Sequence, residues 1–335
     1  MNTLTVCSFR GKLIETKHEV AVAIQDCDGV LQAVSGDPDL IVHVRSAAKP
    51  FQALPLVEDG VMEAFDITAR ELALACASHN SEEYQVAMVS EWMQRCGLQE
   101  EQLVCGSHRP LAKDLGFRRD DGTWEDVELA QPSRVASNCS GKHTGMLSLA
   151  KFHGWDEAGY AVDGHPVQER CRSVISSWFD VPSDDVRGAV DGCGVVSWAV
   201  PLRAIATGYA RMANADGPMQ TIVSAMTTHP ELVAGKRRLC TALMKAYPGK
   251  VLAKVGAGGV YGVALLDRGV GVAIKVLDGD SKATAVALLA VLDSLGLDCR
   301  HSTVLSRFAK PVILNTNRQV VGHYSLTGSP TFAID

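Results

Sequence analysis

A serine stands three residues before a lysine, at Ser46 and Lys49, within the stretch "VHVRSAAKPFQALPLVEDG" from Val42 to Gly60. A serine hydroxyl becomes a good nucleophile only when a base takes its proton, and a lysine of depressed pKa can be that base. The pattern from Ser46 to Val57 predicts a buried helix. Residues at i and i+3 share one face of a helix, so Lys49 can reach Ser46. The alternative interpretation is that Ser46 caps a helix N-terminus and Lys49 is a solvated side chain.

Two later patterns follow the first in an order typical of serine β-lactamases and penicillin-binding proteins. In those enzymes an S-x-x-K helix start is followed by S-x-N, and later by K-x-G on a strand beside the site. Here Ser78-His79-Asn80 and then Lys254-Val255-Gly256 come after the first pattern. Each pattern is short, and a chance series of loop serines and lysines is the alternative explanation. The shared order favours a catalytic role for Ser46 and Lys49, and the chance series stays open as the alternative.

Two further stretches, "SNCSGKHTG" (137–145) and "DGCG" (191–194), carry residues that bind metals. Cys139 and Cys193 could supply two thiolates to a metal such as zinc, with a third donor nearby. From spacing alone, two distant cysteines are more often buried core residues than ligands. The glycines on both sides of Cys193 predict a tight turn or a close backbone approach.

Composition excludes several classes of partner. The chain has 335 residues, 47% of them hydrophobic, and a net charge of -6 with acidic and basic residues interspersed. There is no concentrated basic patch of the kind that binds nucleic acid, and no apolar run long enough to span a bilayer. The N-terminus lacks a secretory pattern, and the ten cysteines include no C-x-x-C. We therefore expect a cytoplasmic protein that acts on a small molecule.

Strand patterns occur at both ends of the chain, and helix patterns fill its middle. "TLTVCSFRG", "HEVAVAIQDCDG" and "VLQAVSGDPD" alternate around turns, while "GVYGVALLD" and "VGVAIKVLDG" predict a hairpin around Arg268-Gly269. We predict an α/β chain of the α+β kind, with one antiparallel sheet built from both chain ends and covered by helices. In this prediction the sheet lobe spans 1–45 and 250–335, and an inserted, mainly helical lobe spans 46–249. The two lobes form a single catalytic unit.

A capping signature stands before Ser78. Thr68-Ala69-Arg70-Glu71 precedes "LALACASH", and in this pattern the threonine and the glutamate bind each other's free backbone amides. The signature predicts that a helix begins after Thr68 and that Ser78 lies at or just past its end.

Taken together, six stretches resemble the rhizobial-type L-asparaginases: "RSAAKPFQALPLVEDG", "CASHN", "CGSHRP", "SNCSGKHTGML", "VDGCGV" and "KVGAGGVYGVAL". The resemblance extends from the first strands nearly to the C-terminus, and "NCSGKH" followed by "DGCG" is its most specific part. It implies a fold like that of serine β-lactamases and penicillin-binding proteins. It also implies a homodimer that hydrolyses L-asparagine to L-aspartate and ammonia.

The same resemblance assigns roles to individual residues. It pairs Ser46 with Lys49 and Ser78 with Lys254. Its metal site falls on three residues that would hold zinc, with water completing the shell: Cys139, Lys142 and Cys193. Residues that line or support the pocket fall at Arg45, His143 and Asp191. The family commonly reads "SHSGE" where this chain has "SHNSE", so Asn80 gains no role from the resemblance.

These assignments predict a mechanism in which Ser46 attacks the side-chain amide carbon of asparagine while Lys49 accepts the serine's proton. Ser78 and Lys254 would relay a proton to the departing ammonia, and water would release aspartate from the acyl-enzyme. A glutaminase or another β-lactamase-like serine hydrolase would use the same pairs. Outside enzymes, the alternative is a protein that binds zinc or an amino acid, whose serine-lysine patterns are helix caps.

Overall fold

The computed structural model describes residues 3–111 and 129–328, together with 330 and 332. Strands lie at both ends of this described chain, with one pair in between. The strands are β1 (Leu4–Arg10), β2 (Leu13–Asp26), β3 (Leu31–Ser35), β4 (Ile41–His43), β5 (Arg187–Val190), β6 (Val196–Pro201), β7 (Val251–Gly256), β8 (Val260–Leu265), β9 (Val270–Val276), β10 (Val312–Leu314) and β11 (Val320–Thr327).

Helices dominate the middle of the chain. The described α-helices are α1 (Lys49–Ala53), α2 (Pro55–Glu58), α3 (Val61–Ala64), α4 (Ala69–Ala75), α5 (Glu83–Arg95), α6 (Ser140–His153), α7 (Pro166–Phe179), α8 (Leu202–Ala213), α9 (Gly217–Thr228), α10 (Pro230–Val233), α11 (Leu239–Ala246), α12 (Ser281–Ser294) and α13 (Ser306–Ala309). Short 3₁₀ segments occur at Arg45–Ala48, Glu100–Gln102 and Ser183–Asp185. Among the described helices, none is long and apolar enough to cross a membrane.

The chain divides into two units. The first unit comprises residues 1–47, 200–214 and 242–335, and the second comprises residues 48–199 and 215–241. The first unit therefore contains the sheet strands from both chain ends together with α8. The second is mainly helical and is inserted into the sequence of the first.

The sheet of the first unit has eight strands in the described residues, in the order β10-β11-β1-β2-β9-β8-β7, with β3 also paired to β2. All of its described pairings are antiparallel. The N-terminal strand β2 pairs directly with the C-terminal strand β9, from Val20 opposite Val276 to Asp26 opposite Val270. This pairing joins the two chain ends in one sheet and confirms the predicted fold class.

Two helices, α8 and α12, pack on the sheet. Strand β8 is buried along its whole length, and β9 is buried except at Lys275, as expected for strands covered on both faces. Glycines allow the close approach of α8. A Cβ added at Gly262 would lie 2.1 Å from the Tyr209 ring, and one added at Gly271 would lie 1.9 Å from the backbone oxygen of Ala206.

In the second unit, α4 and α6 lie directly against each other. Thr68 caps α4 as predicted, because its hydroxyl accepts the Glu71 N–H while the Glu71 carboxylate accepts the Thr68 N–H at 2.8 Å. Helix α4 ends at Ala75, so Ser78 lies just past its end, as expected. A Cβ added at Gly141 on α6 would lie 2.3 Å from the backbone oxygen of Leu74, so only glycine permits this helix contact.

The segment after β4 differs from the continuous helix predicted for it. Ser46 lies inside the 3₁₀ segment, and α1 begins at Lys49 with Ala48 as its N-cap, so the alternative interpretation of Ser46 as an α-helix cap is wrong. Two local features explain the break. Arg45 has a left-handed φ of 53°, and Pro50 has no N–H and so fits only the first turn of an α-helix.

Candidate active site

The Lys49 side chain is the centre of the candidate site. Lys49 is only 2% exposed, and its Nζ donates to the backbone oxygen of Ala77. The same Nζ lies 3.2 Å from Ser78 Oγ and 3.2 Å from Cys139 Sγ. A single buried amine therefore contacts both a predicted catalytic serine and a predicted metal ligand.

The loop after α4 positions Ser78 beside this amine. The Ser78 N–H donates to the backbone oxygen of Val233, the last residue of α10, at 2.9 Å. Ser78 is 4% exposed, so its hydroxyl lies in a largely water-free environment. Electrostatic interactions between a serine and a lysine are stronger there than in water.

The two predicted thiol ligands are hydrogen-bonded to each other. The bond from Cys193, together with the nearby amines of Lys49 and Lys142, outweighs burial and holds the pKa of the Cys139 thiol well below its ordinary value. The same bond and burial raise the pKa of the Cys193 thiol. The two thiols are therefore unequal, with the pKa of Cys139 lowered and that of Cys193 raised.

Lys142 completes this donor set from the first turn of α6. Its Nζ lies 3.1 Å from Cys193 Sγ. Burial opposes the charge on this amine, but the sulfurs of Cys193 and Cys139 outweigh it and hold the pKa of Lys142 above its ordinary value. Two sulfurs and one amine thus converge. Thiolate sulfur is a ligand that zinc prefers, whereas an amine can bind the ion only after it loses its proton. The donor set therefore fits zinc when Lys142 is neutral, and its affinity should fall as the pH falls.

No cluster of three or more histidine, cysteine, aspartate or glutamate side chains suited to a metal occurs among the described residues. The donor set around Lys142 differs from such a cluster, because it has two thiols and a lysine amine in place of a third histidine, cysteine, aspartate or glutamate.

Cys193 lies in the turn between β5 and β6, as its flanking glycines predict. The Asp191 N–H donates to the backbone oxygen of Val195, and the Gly194 N–H donates back to that of Asp191. Gly194 has a left-handed φ of 87°, and a Cβ there would lie 2.7 Å from the Val104 side chain. Asp191 therefore shapes the turn that carries Cys193.

His143 is buried behind Lys142. Burial, aided by the charge of Lys142, lowers the pKa of His143 to about 4 although Cys193 opposes the shift. Its Nδ1 lies 2.5 Å from the Tyr160 hydroxyl, whose oxygen also accepts the Val104 N–H at 3.0 Å. His143 is therefore a neutral ring held by Tyr160, a residue that no sequence pattern indicated.

The remaining predicted residues, Arg45, Ser46 and Lys254, belong to the first unit. Ser46 is half-buried, whereas Lys254 on β7 is fully buried and its Nζ donates to the backbone oxygen of Val255 at 3.0 Å. A Cβ added at Gly256 would lie 2.7 Å from the backbone oxygen of Val44. The end of β7 thus packs against the chain just before Arg45.

The Ser46 segment is also held from α8. The Tyr209 hydroxyl donates to the backbone oxygen of Ala47 at 2.8 Å, and the Ala47 N–H donates to that of Val44 at 3.2 Å. Both contacts fix the backbone on either side of Ser46.

Sequence reasoning missed the contacts of Lys49. It paired Lys49 with Ser46 and Ser78 with Lys254, and it did not foresee that Lys49 lies against Ser78 and Cys139. It also gave no role to His79, although "CASHN" places that histidine directly after Ser78.

In this chain a buried lysine lies beside a serine hydroxyl within the helical unit. This arrangement suits hydrolases that act through an activated serine. The family model described as L-asparaginase II matches residues 6–326. The chain therefore belongs to the L-asparaginase II family, which confirms the family resemblance. No curated protein matches the chain.

Solved structures similar to this chain include that of Mglu in its native form, with 16% identity, a TM-score of 0.46, and coverage of 83% of this chain and 65% of that one. Another is a putative beta-lactamase from Bacteroides dorei DSM 17855, with 10% identity, a TM-score of 0.36, and coverage of 82% and 85%. A third is the octameric penicillin-binding protein homologue from Pyrococcus abyssi, with 15% identity, a TM-score of 0.30, and coverage of 82% and 73%. This chain thus spans less than two thirds of the length of Mglu. None of these TM-scores reaches 0.5, so the family assignment rests on the family model alone.

Proposed function

We propose that this protein is an L-asparagine amidohydrolase that releases L-aspartate and ammonia through a serine acyl-enzyme. The observation that carries the proposal is the buried contact of 3.2 Å between Lys49 Nζ and Ser78 Oγ. Membership of the L-asparaginase II family supports an amidohydrolase of the asparaginase and glutaminase type.

In the proposed reaction the Oγ of Ser46 attacks the amide carbon of the substrate and forms an ester. Of the two serines, Ser46 is half-buried and Ser78 is almost fully buried. Ser46 is therefore the serine that a substrate can approach. Lys49 accepts the proton that Ser46 loses, a step for which its amine must be unprotonated. The carbon–nitrogen bond then breaks, and the leaving nitrogen takes a proton and departs as ammonia. Water hydrolyses the ester and returns the proton, which regenerates the serine.

Ser78 and Lys254 are proposed to pass protons during these steps. The hydrogen bond from Lys49 to Ser78 supports Ser78 as the group next to the base. Lys254 is a fully buried lysine, and its role rests on the sequence patterns. A serine that only relays protons never carries the acyl group.

Trapping the acyl-enzyme tests which serine attacks. The protein is mixed with a slowly hydrolysed asparagine analogue, quenched in acid and digested, and the modified peptide is identified by mass spectrometry. We expect the added mass on the peptide that contains Ser46. Ser46→Ala is expected to remove both the label and turnover, lowering kcat by about 10³-fold or more, whereas Ser78→Ala is expected to lower turnover and keep the label. A label on Ser78 would reverse the two roles.

Ammonia release tests the substrate. The purified protein is given asparagine, glutamine and a chromogenic β-lactam, and kcat/KM is measured for each. We expect asparagine to give the highest value. Preference for glutamine would make the protein a glutaminase, and preference for the β-lactam would make it a β-lactamase-like serine hydrolase. Binding of asparagine or zinc without any turnover would make it a binding protein.

We also propose that Cys139, Lys142 and Cys193 hold a zinc ion. When bound, zinc would act as a Lewis acid that holds the α-carboxylate or α-amino group of the substrate. The chain's own contribution is to bring two sulfurs and one amine together in a buried place. A site that orients the substrate in this way affects KM more than kcat.

Replacing Cys193 by alanine is expected to remove the metal and raise KM by about tenfold or more while kcat falls less, because ground-state binding is lost. Cys193 is a better choice than Cys139, because Cys139 also contacts Lys49 and its loss would disturb the base. Metal content by mass spectrometry and both kinetic constants are the measurements. Cys171→Ala, at another buried free cysteine of the same unit, is the control and should retain the metal. Loss of metal with unchanged KM and kcat would refute a role in substrate binding.

Two further parts of the proposal concern the assembly and its location. We propose a homodimer in the cytoplasm, as the family resemblance and the composition indicate. Sedimentation velocity of the purified protein tests the first part, since it separates a mass near the 35.8 kDa of one chain from twice that mass.

A further inference from the structure

The histidine that follows Ser78 has a defined proton position. The His79 ring is fully buried, and its Nδ1 accepts the backbone N–H of Ser81 at 3.1 Å. A backbone N–H can only donate, so Nδ1 carries no proton. In the neutral ring the proton is therefore on Nε2, which donates to Ser140 Oγ at 2.9 Å. Burial, aided by the charge of Lys49, lowers the pKa of His79 to about 3, in agreement with a neutral ring.

The bond from Nε2 connects the Ser78 loop to the start of α6, whereas the bond from Ser81 holds the ring within the loop. Two further bonds connect the loop to the residues just before α6, since the His79 N–H donates to the backbone oxygen of Asn138 at 3.2 Å and the Ser81 hydroxyl donates to that of Ala136 at 2.6 Å. Ser81 has a left-handed φ of 66°, which is unfavourable for a residue with a side chain. The bond from Ser81 to the His79 ring helps to hold that conformation.

Lys49 spans the same two segments. Its Nζ contacts Ser78 Oγ in one segment and Cys139 Sγ in the other, both at 3.2 Å. The contact with Ser78 Oγ is already at the long end of the ordinary range for an oxygen acceptor, so it would be lost if the two segments separated by even 1 Å while Lys49 stayed with the sulfur. His79 lies between the segments, adjacent in sequence to Ser78 and bonded to the residue that follows Cys139.

We propose that His79 is a positioning residue whose Nδ1 is held by Ser81 within the Ser78 loop and whose Nε2 fixes that loop to the start of α6, which sets the distance that Lys49 spans between Ser78 and Cys139. This inference rests on the proposed function for its effect on turnover. It assigns His79 no contact with the substrate. It makes the bond from His79 Nε2 to Ser140 Oγ a side-chain link between the serine and the thiol parts of the site, in addition to the bonds to the backbone oxygens of Asn138 and Ala136.

Two substitutions of His79 each keep a polar atom near one ring nitrogen and lose the other, so they test the two bonds separately. His79→Asn can keep an acceptor near the Nδ1 position but loses the bond to Ser140, and His79→Gln can keep a donor near the Nε2 position but loses the bond to Ser81. Ser140→Ala removes the acceptor while leaving the ring in place. We expect His79→Asn and Ser140→Ala each to lower kcat for asparagine by about 10- to 100-fold with KM changed by less than about threefold, as for a misplaced reacting group.

The combination of His79→Asn with Ser140→Ala is the decisive variant. Because both changes remove the same bond, the double variant should be no slower than the slower single one. Ser148→Ala is the matched control, since it removes a buried serine hydroxyl from the same helix without touching His79, and its kcat should be unchanged. Multiplied effects in the double variant, or an equal loss in Ser148→Ala, would show only general damage to the fold and would overturn the proposal.

Nuclear magnetic resonance tests the proton position without any turnover. Protein carrying ¹⁵N-histidine is recorded, and the His79 signals are identified by their loss in His79→Asn. We expect the Nε2–H tautomer in the parent protein and a changed Nε2 signal in Ser140→Ala. An Nδ1–H tautomer would overturn the inference. If the protein did not hydrolyse asparagine, the proposed function would fail, whereas this spectrum would still decide whether His79 makes the two bonds.

Discussion

Lys49→Met is expected to lower kcat for ammonia release from asparagine by about 10³-fold or more, because it removes the proposed base and general base catalysis contributes about 10²–10⁴-fold. Methionine has a similar length and fills the same buried space. The change removes the donor that contacts the Ala77 backbone oxygen, Ser78 Oγ and Cys139 Sγ. We expect the protein to remain folded with a somewhat lower free energy of unfolding, since buried acceptors lose a donor at about 1–3 kcal/mol.

Lys49→Arg separates the charge of Lys49 from its basicity. Arginine keeps a positive charge and can donate hydrogen bonds, but it does not become neutral in proteins and so cannot accept the serine's proton. We therefore expect Lys49→Arg to be as slow as Lys49→Met.

Lys151→Met is the control for both, because it removes an exposed lysine from α6 in the same unit. Steady-state kcat and circular dichroism are the measurements. Turnover within about threefold of the parent in Lys49→Met would eliminate Lys49 as the base, since a threefold change is well below the 10²-fold minimum for general base catalysis.

The expected loss depends on a contact that the sequence could not predict. Lys49 and Ser78 are 29 positions apart in the sequence, and Lys49 and Cys139 are 90 apart, so no local period relates them. The distances follow from the packing of α4 against α6, where Gly141 allows the helices to approach. Sequence patterns identified the residue types, but only the fold determines which lysine lies beside which serine.

Local signals were reliable where one short-range interaction decides the structure. The Thr68–Glu71 capping box correctly predicted the start of α4 and the position of Ser78 after its end. The Arg268-Gly269 turn correctly predicted the hairpin of β8 and β9. In both cases the determining contacts lie within a few residues of each other.

The prediction was wrong at Ser46 for a physical reason. A helix period from Ser46 to Val57 was visible, but the left-handed φ of Arg45 and the missing N–H of Pro50 interrupt the hydrogen bonds there. Neither interruption depends on the hydrophobic pattern.

The β2–β9 pairing is the opposite case, because alternation at both chain ends predicted the sheet although its strands are far apart in sequence.

Gly271→Ala is expected to lower the free energy of unfolding by about 3 kcal/mol or more, the upper end of what an overpacked core costs. The new Cβ would lie 1.9 Å from the Ala206 backbone oxygen and 2.4 Å from the Ala210 backbone nitrogen. Both atoms belong to the backbone of α8, so no side chain can rotate away and the whole helix must move. Urea unfolding followed by circular dichroism measures the change.

Gly106→Ala is the control, because a Cβ there has no neighbour within 4 Å, and its effect should stay within about 0.5 kcal/mol. The displaced helix also carries Tyr209, whose hydroxyl holds the backbone of Ala47 beside Ser46. We therefore expect Gly271→Ala to lower kcat even in the fraction that remains folded. A stable variant with full activity would show that α8 can move away from β9 without disturbing Ser46, and the packing of this helix would then not be what positions the proposed nucleophile.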